Sequence, residues 1–176
     1  SDKVAKTKWE GNEQLGGYIW HTTGSGKTMT SFKSAQLIAA SNDADKVVFL
    51  MDRIELGTQS LRQYRGFADD ADSVQSTENT GVLVSKLKSN SVTDTLIVTS
   101  IQKMSNIKDE AEGGMTSADI KLMQAKRIVF IVDECHRSTF GDMLYIIKQT
   151  FPKAVFFGFT GTPIHEENQK KKTTTA

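Results

Sequence analysis

Residues 21–28 read HTTGSGKT and constrain the fold more than any other part of the chain. They directly follow the apolar segment 17–20 and open a segment with helical periodicity, which is the context of a phosphate-binding P-loop. Gly24 and Gly26 permit backbone conformations that a side chain would forbid, so successive N–H groups can converge on a phosphate at the positive end of the helix. The motif therefore predicts an α/β unit that binds a nucleotide.

The residues of this loop have separate predicted tasks. The Lys27 ammonium can reach the β- and γ-phosphates of ATP, and the Thr28 hydroxyl can ligate Mg²⁺. The general pattern has glycine where this chain has His21, so the first turn of the loop is open to a different geometry. The alternative, a glycine-rich surface loop with a solvated lysine, fits poorly between a strand and a helix. The predicted nucleotide-binding residues are Thr23, Gly24, Ser25, Gly26, Lys27 and Thr28.

Short apolar runs alternate with segments whose apolar residues recur every three to four positions. The runs predict buried strands and the longer segments predict helices. Such alternation is typical of right-handed βαβ crossovers, which build an α/β fold with a mostly parallel sheet and helices on both faces. The predicted strands are residues 18–20, 47–51, 95–99, 128–132 and 155–159, the predicted helices are 27–40, 54–64, 81–87, 117–123 and 139–147, and the stretches 69–80 and 112–114 are predicted as surface loops.

Charge and cysteine content exclude several functional classes. Lys and Arg number 22 against 21 Asp and Glu, so a strongly basic nucleic-acid coat is not indicated. Cys135 is the single cysteine, which excludes an internal disulfide framework, and the three histidines lie too far apart for a usual zinc site. No apolar run approaches the length of a membrane-spanning helix, and the first residues lack an apolar signal core. We therefore expect one α/β unit in a reducing, cytoplasmic setting with no membrane partner.

Two acidic residues, Asp133 and Glu134, follow the apolar run 128–132. Buried carboxylates at the end of a strand need a compensating charge, and Mg²⁺ supplies one. Asp133 is predicted to hold Mg²⁺, and Glu134 is predicted to orient and deprotonate the water that attacks the γ-phosphate. The alternative, that both acids only cap the next helix, is weakened by the presence of a P-loop.

His136 and Cys135 complete this DECH segment. His136 could relay the nucleotide state to neighbouring elements, or it could be one more polar residue at a helix start. Cys135 is interpreted as a small buried side chain rather than a reactive thiol.

Residues 160–163 read TGTP and follow the last apolar run. The hydroxyls of Thr160 and Thr162 can hydrogen-bond the acids of the DECH segment and sense whether the γ-phosphate is present. A bare tetrapeptide of this kind is also consistent with a simple turn, but its place after a strand favours the sensor.

In this order, a P-loop, a DECH segment and TGTP resemble superfamily 2 helicases and translocases. The resemblance is strongest to the first RecA-like motor lobe of the restriction (R) subunit of type I restriction-modification enzymes, and it extends from about residue 8 to 165. The segments that carry it are GGYIWHTTGSGKT at 16–28, FLMDRIELGTQ at 49–59, IVTSIQKM at 97–104, VFIVDECHRSTFG at 129–141 and FGFTGTPI at 157–164.

The resemblance implies that two of these segments contact a DNA strand. Hydroxyl, amide and cationic groups at strand ends suit phosphate contacts, which read no bases. Arg53 and Gln59 fall on a predicted helix and could equally form its solvated face. The implied DNA-binding residues are Asp52, Arg53, Gln59, Thr99, Ser100, Gln102 and Lys103.

The same resemblance implies an activity and partners. Residues 1–165 would be the ATP-binding motor lobe and residues 166–176 the start of a linker. Joined to a second lobe, the motor would couple ATP hydrolysis to translocation along double-stranded DNA before a separate nuclease domain cleaves it, as part of an ATP-dependent type I site-specific deoxyribonuclease. Modification and specificity subunits would be its partners.

The implied nuclease domain and second lobe have no candidate segments in this sequence. Because the second lobe supplies arginines that promote hydrolysis in this family, we expect weak or no ATPase activity from the chain alone. Gln14, or a residue upstream of it, is the candidate for recognising adenine.

Three alternatives remain open from the sequence. One is a nucleotide kinase or small-molecule phosphotransferase on the same P-loop sheet, although a glutamate beside the Mg²⁺ aspartate favours water as the nucleophile. The second is an ATP-binding switch that never hydrolyses its nucleotide. The third is a repair or remodelling helicase that shares the same motifs.

Overall fold

A six-stranded sheet lies at the centre of the computed structural model, which describes residues 16–20, 27–51, 75–76, 79–133 and 138–160. The strand order is β1-β6-β5-β2-β4-β3, and every neighbouring pair is parallel. The strands are β1 (Gly16–Trp20), β2 (Lys46–Met51), β3 (Gln75–Ser76), β4 (Leu96–Ser100), β5 (Ile128–Asp133) and β6 (Val155–Thr160). The parallel sheet predicted from the alternating sequence pattern is therefore confirmed.

Five α-helices connect the strands within the described residues. They are α1 (Lys27–Ala40), α2 (Thr80–Lys88), α3 (Ile101–Ser105), α4 (Ser117–Gln124) and α5 (Ser138–Thr150). Two short 3₁₀ turns, Val92–Asp94 and Glu110–Glu112, lie between them. Side-chain oxygens of Asn79, Ser100 and Thr116 cap the backbone N–H groups at the start of α2, α3 and α4. None of the helices described is long and apolar enough to cross a membrane.

The two faces of the sheet carry separate hydrophobic cores. On one face, here called the α1 face, Phe32, Ala35 and Ile38 of α1 pack on the sheet. Residues of α2, α3, α4 and α5 pack on the other face. Side chains alternate along each strand, so Phe49 faces α1 and Leu50 faces the other core. Strands covered on both faces must be apolar throughout, which explains the uninterrupted apolar runs in the sequence.

Aromatic rings fix the packing in both cores. On the α1 face, Phe32 meets Phe49 edge-on with ring centroids 6.0 Å apart. On the other face, Phe130 stacks on Phe156 at 4.8 Å and lies 5.6 Å from Phe151. These contacts hold α1 and the turn after α5 against the strands that they cover.

The sequence predictions differ from the structure in two segments. The stretch 69–80 was predicted as a loop, but Gln75–Ser76 forms β3 and pairs with β4, while Thr80 is buried at the start of α2. This prediction was wrong because a two-residue strand has no periodicity of its own and forms only by pairing with its neighbour. Helix α3 was not predicted, since five residues are too few to show a helical pattern. The predicted helix 54–64 lies outside the described residues.

Candidate functional site

The carboxyl ends of five strands meet at one edge of the sheet. Trp20 at the end of β1 pairs with Thr160, and Phe159 beside it pairs with Asp133 at the end of β5. Met51 at the end of β2 pairs with Ser100 at the end of β4. The segments predicted to bind ligands or to carry catalysis all follow these strand ends. In open parallel sheets, ligands bind at this edge.

Helix α1 begins at this edge. The chain passes from the end of β1 to Lys27, the first residue of α1, and α1 leads to the start of β2 at the opposite edge. The positive end of the helix dipole therefore lies where a bound phosphate would meet it. Lys27 and Thr28 occupy the first two helical positions. Thr23, Gly24, Ser25 and Gly26, the other predicted phosphate-binding residues, lie outside the described residues.

Asp133 is the buried acid of this edge. It ends β5 and is only 2% exposed. Because Val129 and Ile131 belong to the α1-face core, alternation places the Asp133 side chain on that same face. One strand, β6, separates β5 from β1, so two strand spacings of about 4.8 Å put Asp133 about 10 Å from the line of β1. A nucleotide phosphate with its metal ion can bridge such a gap between Asp133 and the start of α1.

The donor chemistry of Asp133 fits Mg²⁺. Its Oδ1 atom is buried without a hydrogen bond, while the residue as a whole makes another interaction. Mg²⁺ is usually bound by one or two carboxylates together with substrate phosphates and water, rather than by a complete protein cage. The described residues contain no group of three or more His, Cys, Asp or Glu side chains that could hold a metal ion. A single buried carboxylate at the carboxyl edge of the sheet is compatible with this kind of site.

The other predicted catalytic and sensor residues are only partly described. Thr160 ends β6, which lies between β1 and the strand of Asp133, and its sensor role stays a prediction. Glu134, His136 and Thr162 lie outside the described residues, and their roles stay predictions.

The predicted DNA-binding residues of the second segment lie at the end of β4 and the start of α3. Thr99 and Ser100 are fully buried, and Ser100 Oγ accepts a hydrogen bond of 3.2 Å from the Lys103 backbone N–H. Ser100 therefore has a structural task as the cap of α3. Gln102 and Lys103 are half-buried. Asp52, Arg53 and Gln59 lie outside the described residues, so all seven DNA contacts stay predictions.

A second polar site lies at the opposite, amino-terminal edge, where the sequence analysis singled out no residue. A cavity of about 380 Å³ is lined there by Lys46, Lys126 and Arg127 together with polar residues after α2. Lys46 is 2% exposed, and its Nζ donates hydrogen bonds of 2.8 Å to the backbone oxygens of Lys86 and Asp94. The sequence did carry a signal, because basic residues stand at the start of the run 46–51 and directly before the run 128–133.

Electrostatics at this second site follow from burial and from neighbouring charge. Burial first, and the Lys126 charge second, lower the pKa of Lys46 to about 8, although the Asp94 and Asp45 carboxylates oppose this shift. Burial acts to raise the pKa of Asp45, but hydrogen bonds from Arg127 outweigh it and hold that pKa below its ordinary value. Arg127 contacts Asp45 through Nη2–Oδ1 at 3.1 Å and through its backbone N–H to Oδ2 at 2.8 Å.

Comparison with known proteins shows one family across the chain. Residues 2–176 match the family described as SWI2/SNF2 ATPase. The chain is 49% identical over 156 residues to the type I restriction enzyme SsaAORF53P endonuclease subunit of Staphylococcus saprophyticus, a match that covers 88% of this chain and 16% of that protein. It is 46% identical over 155 residues to the SauCOLORF180P endonuclease subunit of Staphylococcus aureus strain COL, with 88% and 16% covered. These relatives confirm the resemblance to type I restriction subunits, and the chain spans only 16% of their length.

Solved structures agree on the fold. A nuclease-deletion mutant of the Type ISP restriction-modification enzyme LlaGI, in complex with a DNA substrate mimic, matches with a TM-score of 0.55 at 22% identity. The match covers 89% of this chain and 17% of that chain. It confirms the predicted fold class, a RecA-like α/β lobe with helices on both faces of a parallel sheet.

Proposed function

Because the chain belongs to the SWI2/SNF2 ATPase family, we propose that it is a motor lobe that binds Mg·ATP at the carboxyl edge of its sheet. Family membership implies nucleotide use by an enzyme region of helicase type. We further propose that the nucleotide is ATP, that it binds with Mg²⁺, and that specific residues of this edge hold both.

One observation carries this proposal. The buried carboxylate of Asp133 lies at the same edge and on the same face of the sheet as the start of α1, where Lys27 stands. A carboxylate that is 2% exposed is costly to bury unless a cation or hydrogen-bond donors compensate it. A magnesium-bound triphosphate between the two elements would place a cation beside this carboxylate.

The residues would divide the work as follows. The backbone N–H groups of residues 23–28 and the Lys27 ammonium would hold the phosphates, and Thr28 and Asp133 would hold Mg²⁺. When bound, Mg²⁺ would neutralise charge on the phosphate oxygens. Glu134 would accept a proton from the attacking water. Thr160, Thr162 and His136 would register the loss of the γ-phosphate.

The similarity to type I restriction subunits supports a role in DNA translocation. In this proposal residues 1–165 form the first motor lobe, and residues 166–176 begin the linker to a second lobe. The complete enzyme would move along double-stranded DNA, contact it through Asp52, Arg53, Gln59, Thr99, Ser100, Gln102 and Lys103, and work with modification and specificity subunits. A separate nuclease domain would cut the DNA.

Nucleotide binding by the chain tests the first part of the proposal. Isothermal titration with ATP should show binding that depends on Mg²⁺. Lys27→Ala should weaken it at least about tenfold, a loss of about 1.4 kcal/mol, and Asp133→Asn should remove the dependence on Mg²⁺ while circular dichroism stays unchanged. Lys121→Ala, at an exposed position of α4, is the matched control and should bind like the wild type. Equal ATP affinity in Lys27→Ala and the control would contradict the proposal.

Turnover by the full-length subunit tests the second part. ATP hydrolysis should rise when duplex DNA is added, and Lys27→Ala should abolish it. No response to duplex DNA would favour a phosphotransferase of the same fold. Turnover that persists in Lys27→Ala would favour an ATP-binding switch with no catalytic role.

A further inference from the structure

The cavity lies at the amino-terminal edge of the sheet, and the proposed nucleotide site lies at the opposite, carboxyl edge. The cavity is bounded by the starts of β2 and β5 and by the segment that follows α2. A volume of about 380 Å³ lies within the range of small-ligand sites, about 300–1,000 Å³. A small ligand could therefore occupy this cavity independently of ATP.

The walls of the cavity carry an excess of positive charge. Three cationic side chains, Lys46, Lys126 and Arg127, line it, and Asp45 is the one carboxylate among its described lining residues. Arg127 and Asp45 form an ion pair at 3.1 Å and largely neutralise each other. The two ammonium groups of Lys46 and Lys126 remain, with the Asp94 carboxylate near Lys46 as a partial counter-charge.

The two ammonium groups differ in how firmly the protein holds them. Lys46 Nζ makes two hydrogen bonds of 2.8 Å to backbone oxygens and is buried in the wall. Lys126 Nζ makes longer contacts, 3.3 Å to Leu87 O and 3.4 Å to Asn90 Oδ1, and its side chain is half-buried. Contacts of this length are at the weak end for a charged donor, so Lys126 can turn toward a stronger acceptor at little cost.

The two lysines also repel each other. The Lys126 charge is the second cause, after burial, of the lowered pKa of Lys46, which at about 8 still leaves Lys46 mostly protonated at neutral pH. An anion placed between them would be attracted by both groups and would relieve this repulsion. Hydroxyl and amide groups of Ser89, Asn90 and Ser91 line the same cavity and can complete its hydrogen bonds.

We propose that this amino-edge cavity is a binding site for a phosphate-type oxyanion, with Lys46 and Lys126 as its cationic ligands. A phosphate group carries a charge of roughly −1.5 to −2 near pH 7 and has several acceptor oxygens, which matches two ammonium groups and neighbouring hydroxyls. A carboxylate carries one charge and two oxygens and should bind more weakly. The phosphate can be a free anion or one group of a nucleic-acid backbone.

Chemical-shift mapping of the wild-type chain with inorganic pyrophosphate tests the site. Backbone amide signals of Ser89, Asn90, Ser91, Lys126 and Arg127 should shift in a saturable manner at about 0.15 M salt. They should shift less with acetate. The Lys27→Ala variant should retain these shifts, because it affects only the proposed nucleotide site. Pyrophosphate shifts that vanish in Lys27→Ala would overturn the proposal. Cavity signals that respond neither to pyrophosphate nor to a short duplex DNA would overturn it as well.

Variants identify the ligands and the source of the phosphate. Lys126→Ala should weaken pyrophosphate binding at least about tenfold, equivalent to about 1.4 kcal/mol. Lys153→Ala, an exposed lysine in the turn before β6 and outside the cavity, is the matched control and should leave binding unchanged. Equal losses in both variants would show non-specific attraction and overturn the proposal. Shifts of the cavity signals by a short duplex DNA but not by pyrophosphate would identify the phosphate as part of a nucleic-acid backbone.

Discussion

At the scale of single residues, Lys46 shows how burial changes the pKa and the structural role of a charged side chain. A lysine at the first position of a buried strand would be expected to extend into solvent, yet Lys46 is 2% exposed. The buried ammonium is stabilised by hydrogen bonds to two backbone oxygens, one in the last turn of α2 and one in a 3₁₀ turn. Lys46 therefore ties β2, α2 and the 3₁₀ turn together.

This arrangement predicts a pH dependence of stability. Lys46 titrates near 10.5 when unfolded and at about 8 when folded, so the unfolded state binds more protons between these values. Its contribution to the free energy of unfolding should therefore rise as pH increases through 8 and level off near 10.5, by on the order of 1–3 kcal/mol. Urea unfolding of wild type and Lys46→Met at pH 7, 8, 9 and 10 would measure the difference between them. A difference that stays constant with pH would contradict this prediction, and Lys153→Met serves as the exposed control.

Ser100 illustrates a residue with two possible tasks. The resemblance assigns it to DNA binding, whereas the structure shows its hydroxyl capping α3. Ser100→Ala should lower the free energy of unfolding by about 1 kcal/mol in the absence of any DNA, because the cap is lost. Ser100→Asn should recover part of this stability. If Ser100→Ala has the same free energy of unfolding in urea as the wild type, the cap contributes little to stability, and DNA binding would be the favoured role of Ser100.

At the scale of elements, two glycines differ in whether their surroundings leave room for a side chain. Gly141 lies inside α5, and a Cβ at this position would meet no atom within 4 Å. Gly114 lies in the turn before α4, where a Cβ would come within 2.6 Å of the backbone oxygens of Asp109 and Ile107. The first glycine is dispensable for packing, and the second is required by close approach of the backbone.

The two glycines therefore predict opposite effects of the same substitution. Gly141→Ala should stabilise the chain by about 0.5–1 kcal/mol, because alanine loses less backbone entropy in a helix. Gly114→Ala should destabilise it by about 1–3 kcal/mol, because the backbone must move to admit a methyl group. Thermal unfolding of both variants beside the wild type measures the two shifts. A Gly114→Ala variant as stable as the wild type would show that this turn adapts freely.

At the scale of the whole molecule, the two cores are unequal. Among the described helices, α1 alone packs on its face, whereas four helices cover the other. Helix α1 also begins with the lysine that we propose binds phosphate. Its packing against the sheet therefore bears on stability and, under the proposed function, on nucleotide binding.

Phe32 is the residue through which this coupling can be measured. It is fully buried and meets Phe49 across the interface between α1 and β2. Phe32→Ala should cost about 3–5 kcal/mol of unfolding free energy and should also weaken the proposed ATP binding, because α1 loses a fully buried contact with the sheet. Leu37→Ala, on the same helix but 65% exposed, should change both quantities little. Equal effects of the two variants on urea unfolding and ATP titration would show that α1 is not anchored by Phe32.

The sequence alone determined five of the six described strands, four of the five described helices and the class of the fold. This was possible because an apolar run that is covered on both faces, and a helix with one apolar side, leave local patterns that need no knowledge of distant residues. The sequence also placed Lys27 and Asp133 at one edge, since parallel strands bring their carboxyl ends to one edge in any such sheet.

Only the tertiary structure decided which of these elements are neighbours. It placed β6 between β1 and β5, added β3 by pairing alone, and placed Ser100 as the N-cap of α3. It also brought Lys46 and Lys126, which are far apart in sequence, to one cavity. Strand order and the meeting of strand starts depend on long-range packing, which leaves no periodic trace in the chain, so no local pattern could have shown them.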